Sequence, residues 1–177
     1  MWVRLIPTGS TLQFAGSMGM LSLGPSWTYG KKKNWETEFL IGYLPRFYGK
    51  KGYATMTLKE NYIPWDIPLF PKQDSKWAIS PLTASLYFNK IFGESFWSHL
   101  PDRYPTKYYE VATNLRVNLA LGSQLTFNLS KNHIEKTIAF FYEVSSNDLY
   151  ILASIQDKSI RLKDIVSLSV GIRCDFW

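Results

Sequence analysis

The carboxy-terminal stretch Ile165–Trp177 reads IVSLSVGIRCDFW and decides the fold. Every even position from Val166 to Phe176 is apolar, whereas serine, glycine, arginine and aspartate stand at the odd positions between them. Successive side chains of a β-strand point to opposite faces, so this period of two predicts a strand with one apolar and one polar face. The predicted apolar face of the terminal strand consists of Val166, Leu168, Val170, Ile172, Cys174 and Phe176.

The same alternation recurs along the chain and predicts an all-β fold. Between the alternating segments stand glycine, proline, serine and asparagine, which favour chain reversals. The number of candidate strands lies between seven and nine, depending on where turns are placed. Strong alternation covers residues 35–44, 82–89, 109–121 and 138–145, and weaker alternation covers 12–20, 54–58 and 125–129.

Several boundaries depend on short polar segments. Gly24–Pro25 is predicted to be a turn, because proline has no amide hydrogen for a β-ladder. Gly122–Gln124 is either a turn or part of a continuous strand, and Ser145–Asp148 either ends a strand or belongs to it. Asn147–Ile155 is a candidate for a short turn of helix, with Asp148 near its start.

The composition fits a single domain over residues 1–177. Of these residues 46% are hydrophobic and 19% are charged, which allows a folded core and argues against disorder. The sequence has no run of about eighteen apolar residues, which excludes a transmembrane helix. The single cysteine, Cys174, excludes an internal disulfide framework and a cysteine-based zinc site, and the two histidines, His99 and His133, leave little for a histidine-rich centre. We expect neither a metal nor a cofactor.

The polar face of the strands indicates which kind of β-protein this is. Soluble sheets cover their wet face with lysine and glutamate, which are well solvated and block edge pairing. Here that face carries small polar residues such as Thr83, Asn114 and Ser167. Small side chains fit the interior of a narrow barrel, so the large apolar ones should point outward, toward lipid. The prediction is a closed antiparallel up-and-down transmembrane β-barrel, with eight strands as the smallest standard form.

Aromatic residues near the ends of the alternating segments agree with this orientation. Tryptophan and tyrosine are enriched where a membrane meets water. Most segments are about nine to thirteen residues long, which suits a tilted strand that crosses a bilayer. The predicted aromatic girdle consists of Trp27, Tyr29, Trp35, Tyr43, Phe47, Tyr48, Tyr53, Trp77, Tyr108 and Tyr109.

The terminal alternation Val166–Trp177 is similar to the carboxy-terminal signal of bacterial outer-membrane β-barrels, and the chain resembles the small members of that class. More loosely, segments 16–29, 35–45, 57–65 and 101–105 resemble an uncharacterised family of Bacteroides-like bacteria. The resemblance implies a Gram-negative outer-membrane protein. Its implied partners are outer-membrane lipids or lipopolysaccharide, the barrel-insertion machinery and other outer-membrane proteins, with no nucleic acid. Residues 1–11 contain no charged-then-apolar export signal, so we interpret the numbering as that of a mature or recombinant chain.

Ionisable side chains are predicted to line the lumen of such a barrel. Five acids and three bases fall on the inward face. They should pair or keep water, since burying an unpaired charge costs several kcal/mol. We expect this polar network to fill the barrel and to leave no open pore. Its predicted members are Glu36, Glu38, Lys59, Glu110, Arg116, Glu143, Arg173 and Asp175.

The predicted function is that of a non-catalytic outer-membrane barrel with a structural role, or an interaction role exerted through its loops. The net charge of +6 is concentrated in predicted loops. Among them, Lys31–Lys33 would either meet lipid phosphates or form a solvated turn. Two long connections rich in aromatic residues and proline suit either an interaction surface or packing over the barrel mouth. Candidate interaction residues there are Trp65, Phe96, Trp97 and Tyr104.

Two alternatives stay open. A lipid A-modifying outer-membrane enzyme, of acyl hydrolase or acyltransferase type, would use a serine nucleophile, a histidine base and an orienting acid. Ser98, His99 and Asp102 are the candidates, although the resemblance to known deacylases implies a serine two residues after the histidine. A soluble lipid-binding barrel would bury the apolar faces inward, and Gly24–Trp27 is faintly similar to the early Gly and Trp of that fold.

Overall fold

The computed structural model describes residues 5–16, 18–45, 52–70, 76–93, 115–129, 136–156 and 165–176. Nearly all of its regular structure is β-strand. In chain order the elements are β1 (Gly9–Ala15), β2 (Leu21–Tyr29), β3 (Trp35–Leu44), β4 (Tyr53–Tyr62), β5 (Ile67–Pro68), β6 (Trp77–Phe92), β7 (Leu115–Asn128), β8 (Thr137–Asn147), α1 (Asp148–Gln156) and β9 (Ser167–Asp175).

The eight long strands form a closed antiparallel barrel. Consecutive long strands pair with each other, β4 pairs with β6, and β1 pairs with β9 to complete the circle. The short β5 pairs with the start of β6. The predicted up-and-down barrel of eight antiparallel strands is therefore confirmed.

The barrel has two rims, which we name by where the first strand begins and the last strand ends. The proximal rim is the end at which β1 begins and β9 ends, where the Phe176 amide donates to the Thr8 carbonyl oxygen at 2.8 Å. The turn at residues 30–34 and the starts of β6 and β8 lie at this rim. The distal rim is the opposite end, which carries the turn at residues 16–20 and helix α1.

The register shows that the strands are strongly staggered. A row of paired residues can be followed around the barrel, from each strand to the next. It starts at Ile79 of β6, passes through all seven of the other long strands, and arrives back on β6 at Lys90. A sheet closes in this way when its strands tilt relative to the barrel axis. The row consists of Ile79, Leu125, Phe140, Ile172, Leu12, Leu23, Ile41, Met56 and Lys90.

A bulge in β6 accommodates a proline inside the barrel wall. The register with β7 shifts between Ser80 and Thr83, where Pro81 has no amide hydrogen to donate. The Ser123 hydroxyl of β7 donates instead to the Ser80 carbonyl oxygen, at 2.9 Å. A side chain thus replaces a ladder hydrogen bond at the irregular position.

The prediction of a turn at Gly24–Pro25 is wrong, because both residues lie inside β2. Gly24 approaches β3 so closely that a Cβ atom on it would lie 1.8 Å from the Phe39 carbonyl oxygen. Glycine is required here by the contact of two backbones. The chain reverses instead at residues 16–20, where Gly19 has a φ of 138°.

The boundaries that the sequence leaves open belong to long strands. Gly122–Gln124 lies inside β7, and β8 continues to Asn147. Helix α1 follows directly, and the Tyr150 amide donates to the Asn147 side-chain oxygen at 2.9 Å, as in an N-cap. The predicted short helix is therefore confirmed.

Candidate functional site

Large apolar side chains cover the outside of the barrel. On β9, Leu168 is 61% exposed and Val170 is 48% exposed, while Ser169 between them is 2% exposed. Ile172 and Phe176 are exposed as well, and Val166 and Cys174 are partly buried. Together with the other seven long strands, this face forms an apolar belt around the barrel: Leu12, Phe14, Leu21, Leu23, Ile41, Leu58, Leu86, Phe88, Leu119, Leu121, Phe140, Tyr142, Val144, Leu168, Val170 and Ile172.

Aromatic residues mark both edges of the apolar belt. At the proximal edge Trp35 packs beside Tyr62, with ring centroids 4.7 Å apart, and Trp77 packs beside Phe127, with centroids 4.6 Å apart. At the distal edge Tyr43 is exposed. On β3 the distance from Trp35 to Tyr43 along a tilted strand corresponds to roughly 20 Å of belt height, at about 3.3 Å per residue. The predicted girdle residues Phe47, Tyr48, Tyr108 and Tyr109 lie outside the described residues.

The first ionic cluster of the lumen is centred on Lys59 of β4. Its ammonium nitrogen lies 2.7 Å from Glu143 Oε1 of β8 and 3.4 Å from Glu38 Oε2 of β3. The same nitrogen donates to Gln13 Oε1 at 3.3 Å, and Gln13 Nε2 donates to Ser169 Oγ at 2.9 Å. Since β4 and β8 are not neighbours in the sheet, the Lys59–Glu143 contact crosses the lumen, whereas Lys59 and Glu38 are partners on the adjacent strands β4 and β3.

Hydroxyl groups bind one oxygen of each carboxylate. The Thr11 hydroxyl donates to Glu38 Oε1 at 2.7 Å, and the Ser85 hydroxyl donates to Glu143 Oε1 at 3.1 Å. Buried ion pairs are favourable when hydrogen bonds satisfy their remaining lone pairs, and these two hydroxyl groups supply part of that requirement. Thr11 and Ser85 were not among the predicted members of the network. Their inward positions in the alternation are the signal that would have identified them.

The second ionic cluster joins β9 to β3 nearer the proximal rim. The Arg173 guanidinium group contacts the buried Glu36 carboxylate directly. Arg173 Nε also lies 3.4 Å from Asp175 Oδ2, which accepts a hydrogen bond from the Thr137 hydroxyl at 2.8 Å. This pairing also crosses the lumen, because β1 and β2 separate β9 from β3 in the sheet.

Two of the predicted network residues are not part of these clusters. Arg116 is half-buried on β7 near the distal rim, with Nη1 4.0 Å from Asp148 Oδ1 of α1. Glu110 lies outside the described residues. The structure therefore brings together Glu36, Glu38, Lys59, Glu143, Arg173 and Asp175 within the lumen.

Little free space remains in the lumen. A cavity of about 10 Å³ lies beside Lys59, Asn61 and Glu143, which is room for about one water molecule. Asn61 Oδ1 and Glu38 Oε2 belong to residues lining this cavity, and neither atom has a hydrogen-bond partner among the described residues.

Both mouths of the barrel are covered by residues that fold inward. At the distal mouth Met18 of the 16–20 turn is fully buried, and its carbonyl oxygen accepts hydrogen bonds from Thr55 and Asn89 on the neighbouring strands β4 and β6. At the proximal mouth Ile63 is buried, lines the lumen cavity, and donates its amide to the Asn34 carbonyl oxygen at 2.8 Å. The Met18 side chain belongs to an apolar cluster of Met18, Leu40, Tyr87 and Ala120.

One carboxylate faces outward near the proximal edge of the belt. Glu60 neighbours the inward Lys59, so the alternation of β4 turns it to the outer face. It accepts hydrogen bonds from the Tyr29 hydroxyl and, at 2.6 Å, from the Thr37 hydroxyl. The sequence analysis did not single out this residue.

No protein-family model, curated protein or solved structure matches this chain.

Within the described residues, no three His, Cys, Asp or Glu side chains are grouped as metal ligands would be. Nor does any helix there combine the length and the hydropathy that crossing a bilayer demands. Trp65, a predicted interaction residue, follows β4 and is 56% exposed. The catalytic candidates and the other interaction candidates lie outside the described residues: Phe96, Trp97, Ser98, His99, Asp102 and Tyr104.

Proposed function

We propose that this protein is a non-catalytic β-barrel of the bacterial outer membrane, closed to solutes, with a structural or interaction role exerted through its rims and loops. The observation that carries the proposal is the apolar belt. Apolar surface left in water is unfavourable by about 25 cal/mol per Å², whereas acyl chains cover it without that cost. A closed barrel also satisfies its backbone hydrogen bonds within the sheet, as a bilayer requires.

The division between outside and inside supports a membrane barrel over a soluble lipid carrier. A carrier would turn its apolar residues toward an enclosed ligand space and its charged residues toward water. Here the lumen holds Lys59, Arg173 and their carboxylate partners, while the exposed positions of the belt are leucine, isoleucine, valine and phenylalanine. The cavity of about 10 Å³ has no room for a lipid chain.

The same cavity supports a barrel without a conducting pore. An eight-stranded barrel is just wide enough for its interior to be filled by side chains. The cross-lumen ion pairs and the two covered mouths occupy the path that a solute would take. The role is therefore assigned to surfaces outside the lumen.

The proposal is tested by one substitution at the middle of the belt. Leu121 is 59% exposed near the centre of β7, and Leu129 is exposed just beyond the proximal end of the same strand. If lipid covers the belt, Leu121→Lys should lower the free energy of unfolding in lipid vesicles by about 2–4 kcal/mol. Leu129→Lys, the matched control, should change it by about 1 kcal/mol or less, because lysine near the interface reaches water.

If both lysine substitutions had the same effect, the apolar belt would be in contact with water and not with lipid. A soluble barrel would tolerate both lysines equally and would stay in solution without detergent. We expect the purified wild-type protein to need detergent or lipid, and to migrate faster on SDS gels before heating than after it. Wild-type protein that remains monomeric in buffer alone, with Leu121→Lys as stable as Leu129→Lys, would overturn the proposal.

A further inference from the structure

We propose that the proximal rim binds the anionic headgroups of phospholipids, through lysines placed just beyond the aromatic edge of the apolar belt. The inference rests on the proposed function and adds a lipid class and a leaflet to it. It starts from the charges that the fold brings to this one end of the barrel.

Five exposed lysines lie around the proximal rim among the described residues, at three different connections. Lys31, Lys32 and Lys33 belong to the turn between β2 and β3. Lys76 immediately precedes β6, and its carbonyl oxygen accepts the Asn128 amide at 2.7 Å. Lys136 immediately precedes β8 and is joined in the same way to the residue after β7. The lysines are therefore spread along the rim, and the strand ends fix the positions of their backbones along the barrel axis.

Each of these lysine positions lies next to an aromatic residue of the belt edge. Tyr29 and Trp35, both exposed, flank the turn that carries Lys31 and Lys32. Trp77 follows Lys76 directly, and its ring packs on Phe127 at the end of β7, close to the Lys136 position. Tryptophan and tyrosine lie at headgroup depth in membranes, so a lysine one or two residues further out is at the level of the phosphates.

The acidic residues at the proximal rim are already engaged. Glu60 accepts hydrogen bonds from Tyr29 and Thr37, as described above, and Asp66 accepts one from the Ser80 hydroxyl at 3.2 Å. The exposed lysines thus outnumber the acids among the described residues of this rim. At the distal rim, by contrast, the described charges are Lys90 and the Arg116–Asp148 pair. The described residues of the proximal rim therefore carry a net positive charge.

The lengths of the strand connections favour phospholipid over lipopolysaccharide as the source of phosphate. In single-chain outer-membrane barrels the short turns face the periplasm and the long loops face outward. Both rims carry a short turn, between β2 and β3 at the proximal rim and between β1 and β2 at the distal rim. The longest connections, between β6 and β7 and between β8 and β9, both lie at the distal rim and exceed the connection between β4 and β6 at the proximal rim. The proximal rim would then meet the inner leaflet, which consists of phospholipid.

The test measures how strongly the protein prefers an anionic lipid over a neutral one. The protein is reconstituted into vesicles, and quenching of its tryptophan fluorescence is compared for brominated phosphatidylglycerol and brominated phosphatidylcholine. Because Trp35 and Trp77 lie beside the lysines, they report on lipids bound there. We expect a preference for phosphatidylglycerol at low salt of about fivefold for each lysine that contacts a headgroup. The preference should vanish at about 1 M NaCl, where the Debye length is about 3 Å.

The variants separate charge from position. Lys31→Gln with Lys32→Gln should lower the preference about fivefold or more, whereas Lys31→Arg with Lys32→Arg should keep it, since the charge is retained. Lys90→Gln at the distal rim is the position control and should leave the preference unchanged. Lys33 is left intact because its φ of 52° belongs to the turn geometry. Unheated SDS gels establish that each variant is folded.

Three results would overturn the inference. Equal quenching by both lipids in the wild type, an unchanged preference after both glutamine substitutions, or an equal loss in Lys90→Gln would each show that the proximal lysines do not select the lipid. A protein that neither brominated lipid quenches is not inserted, and that result would overturn the proposed function itself.

Discussion

Lys59 is a charged residue at the centre of a small barrel, and the cost of burying its charge depends on the groups around it. Removing an ammonium group from water costs several kcal/mol, which only close and well-oriented carboxylates offset. Glu143 lies at 2.7 Å and Glu38 at 3.4 Å, and hydroxyl groups bind both carboxylates. The lysine therefore holds two facing strands together through one atom.

Replacing this lysine should be costly because two buried carboxylates lose their counter-charge. We expect Lys59→Met to lower the free energy of unfolding by about 3–5 kcal/mol, measured by urea denaturation in lipid vesicles. The additional change Glu143→Gln should recover part of the loss, since it removes one of the unpaired charges. Lys90→Met, at an exposed position, is the control and should cost about 0.5 kcal/mol or less. Equal effects at positions 59 and 90 would contradict the assigned role of Lys59.

Gly24 is the residue at which two backbones come closest. Because a Cβ atom would lie 1.8 Å from the Phe39 carbonyl oxygen, Gly24→Ala must push β2 away from β3. We expect a loss of about 1–3 kcal/mol in unfolding free energy. Ser22→Ala on the same strand is the comparison, since the Ser22 hydroxyl has no hydrogen-bond partner among the described residues. If alanine were tolerated equally at both positions, the close approach of the two strands would be refuted.

Among the elements, the turn at residues 16–20 does more than reverse the chain. It carries Met18 into the distal mouth, where the side chain packs on the apolar cluster, while Met20 of the same turn is 39% exposed. Met18→Ala should therefore cost about 2–5 kcal/mol, as truncations in a packed core do. Met20→Ala removes the same atoms from a surface position and should cost about 1 kcal/mol or less. Thermal unfolding of the two variants in one detergent distinguishes them, and equal midpoints would show that the turn does not seal the mouth.

The regular part of each element was predictable from the sequence, because the alternation is a local property. β9, β3 and the inner and outer faces of β6 follow directly from the period of two. The prolines inside the long strands were not predictable in this way. Pro25 follows Gly24, where two backbones approach closely, and Pro81 lies at the bulge in β6. Both depend on a neighbouring strand and not on local sequence.

The lumen was predictable as a list of inward residues and not as a set of pairs. The alternation places Lys59 and Glu143 on inward faces, but which acid meets which base depends on the stagger around the barrel. That stagger is a property of the pairing of all eight strands and includes the register shift at the bulge beside Pro81, which local periodicity does not reveal. The inward fold of Met18 is likewise a tertiary contact of a turn.

At the scale of the whole molecule, the filled lumen predicts that the barrel does not conduct ions. Lys59 and Arg173 each pair across the barrel axis, and the free volume of about 10 Å³ beside them suits about one water molecule. We expect no steady conductance from the purified protein in planar bilayers, with a wide porin as the positive control. Stable single-channel steps that persist across preparations would contradict a closed barrel.

Because β1 pairs with β9, the circle of the eight long strands has no edge strand, and the closed wall can in principle begin at any of its strands. The Phe176 amide is hydrogen-bonded to the Thr8 carbonyl oxygen, so a short peptide linker could connect Phe176 to Thr8, and a new opening could be cut at the turn between β2 and β3. Such a circular permutant would keep every strand pairing of the circle while changing the order in which the strands emerge during synthesis. The stability of the permutant would then show what the closed sheet itself requires. Its yield of folded barrel would show whether assembly depends on the order in which the strands are synthesised.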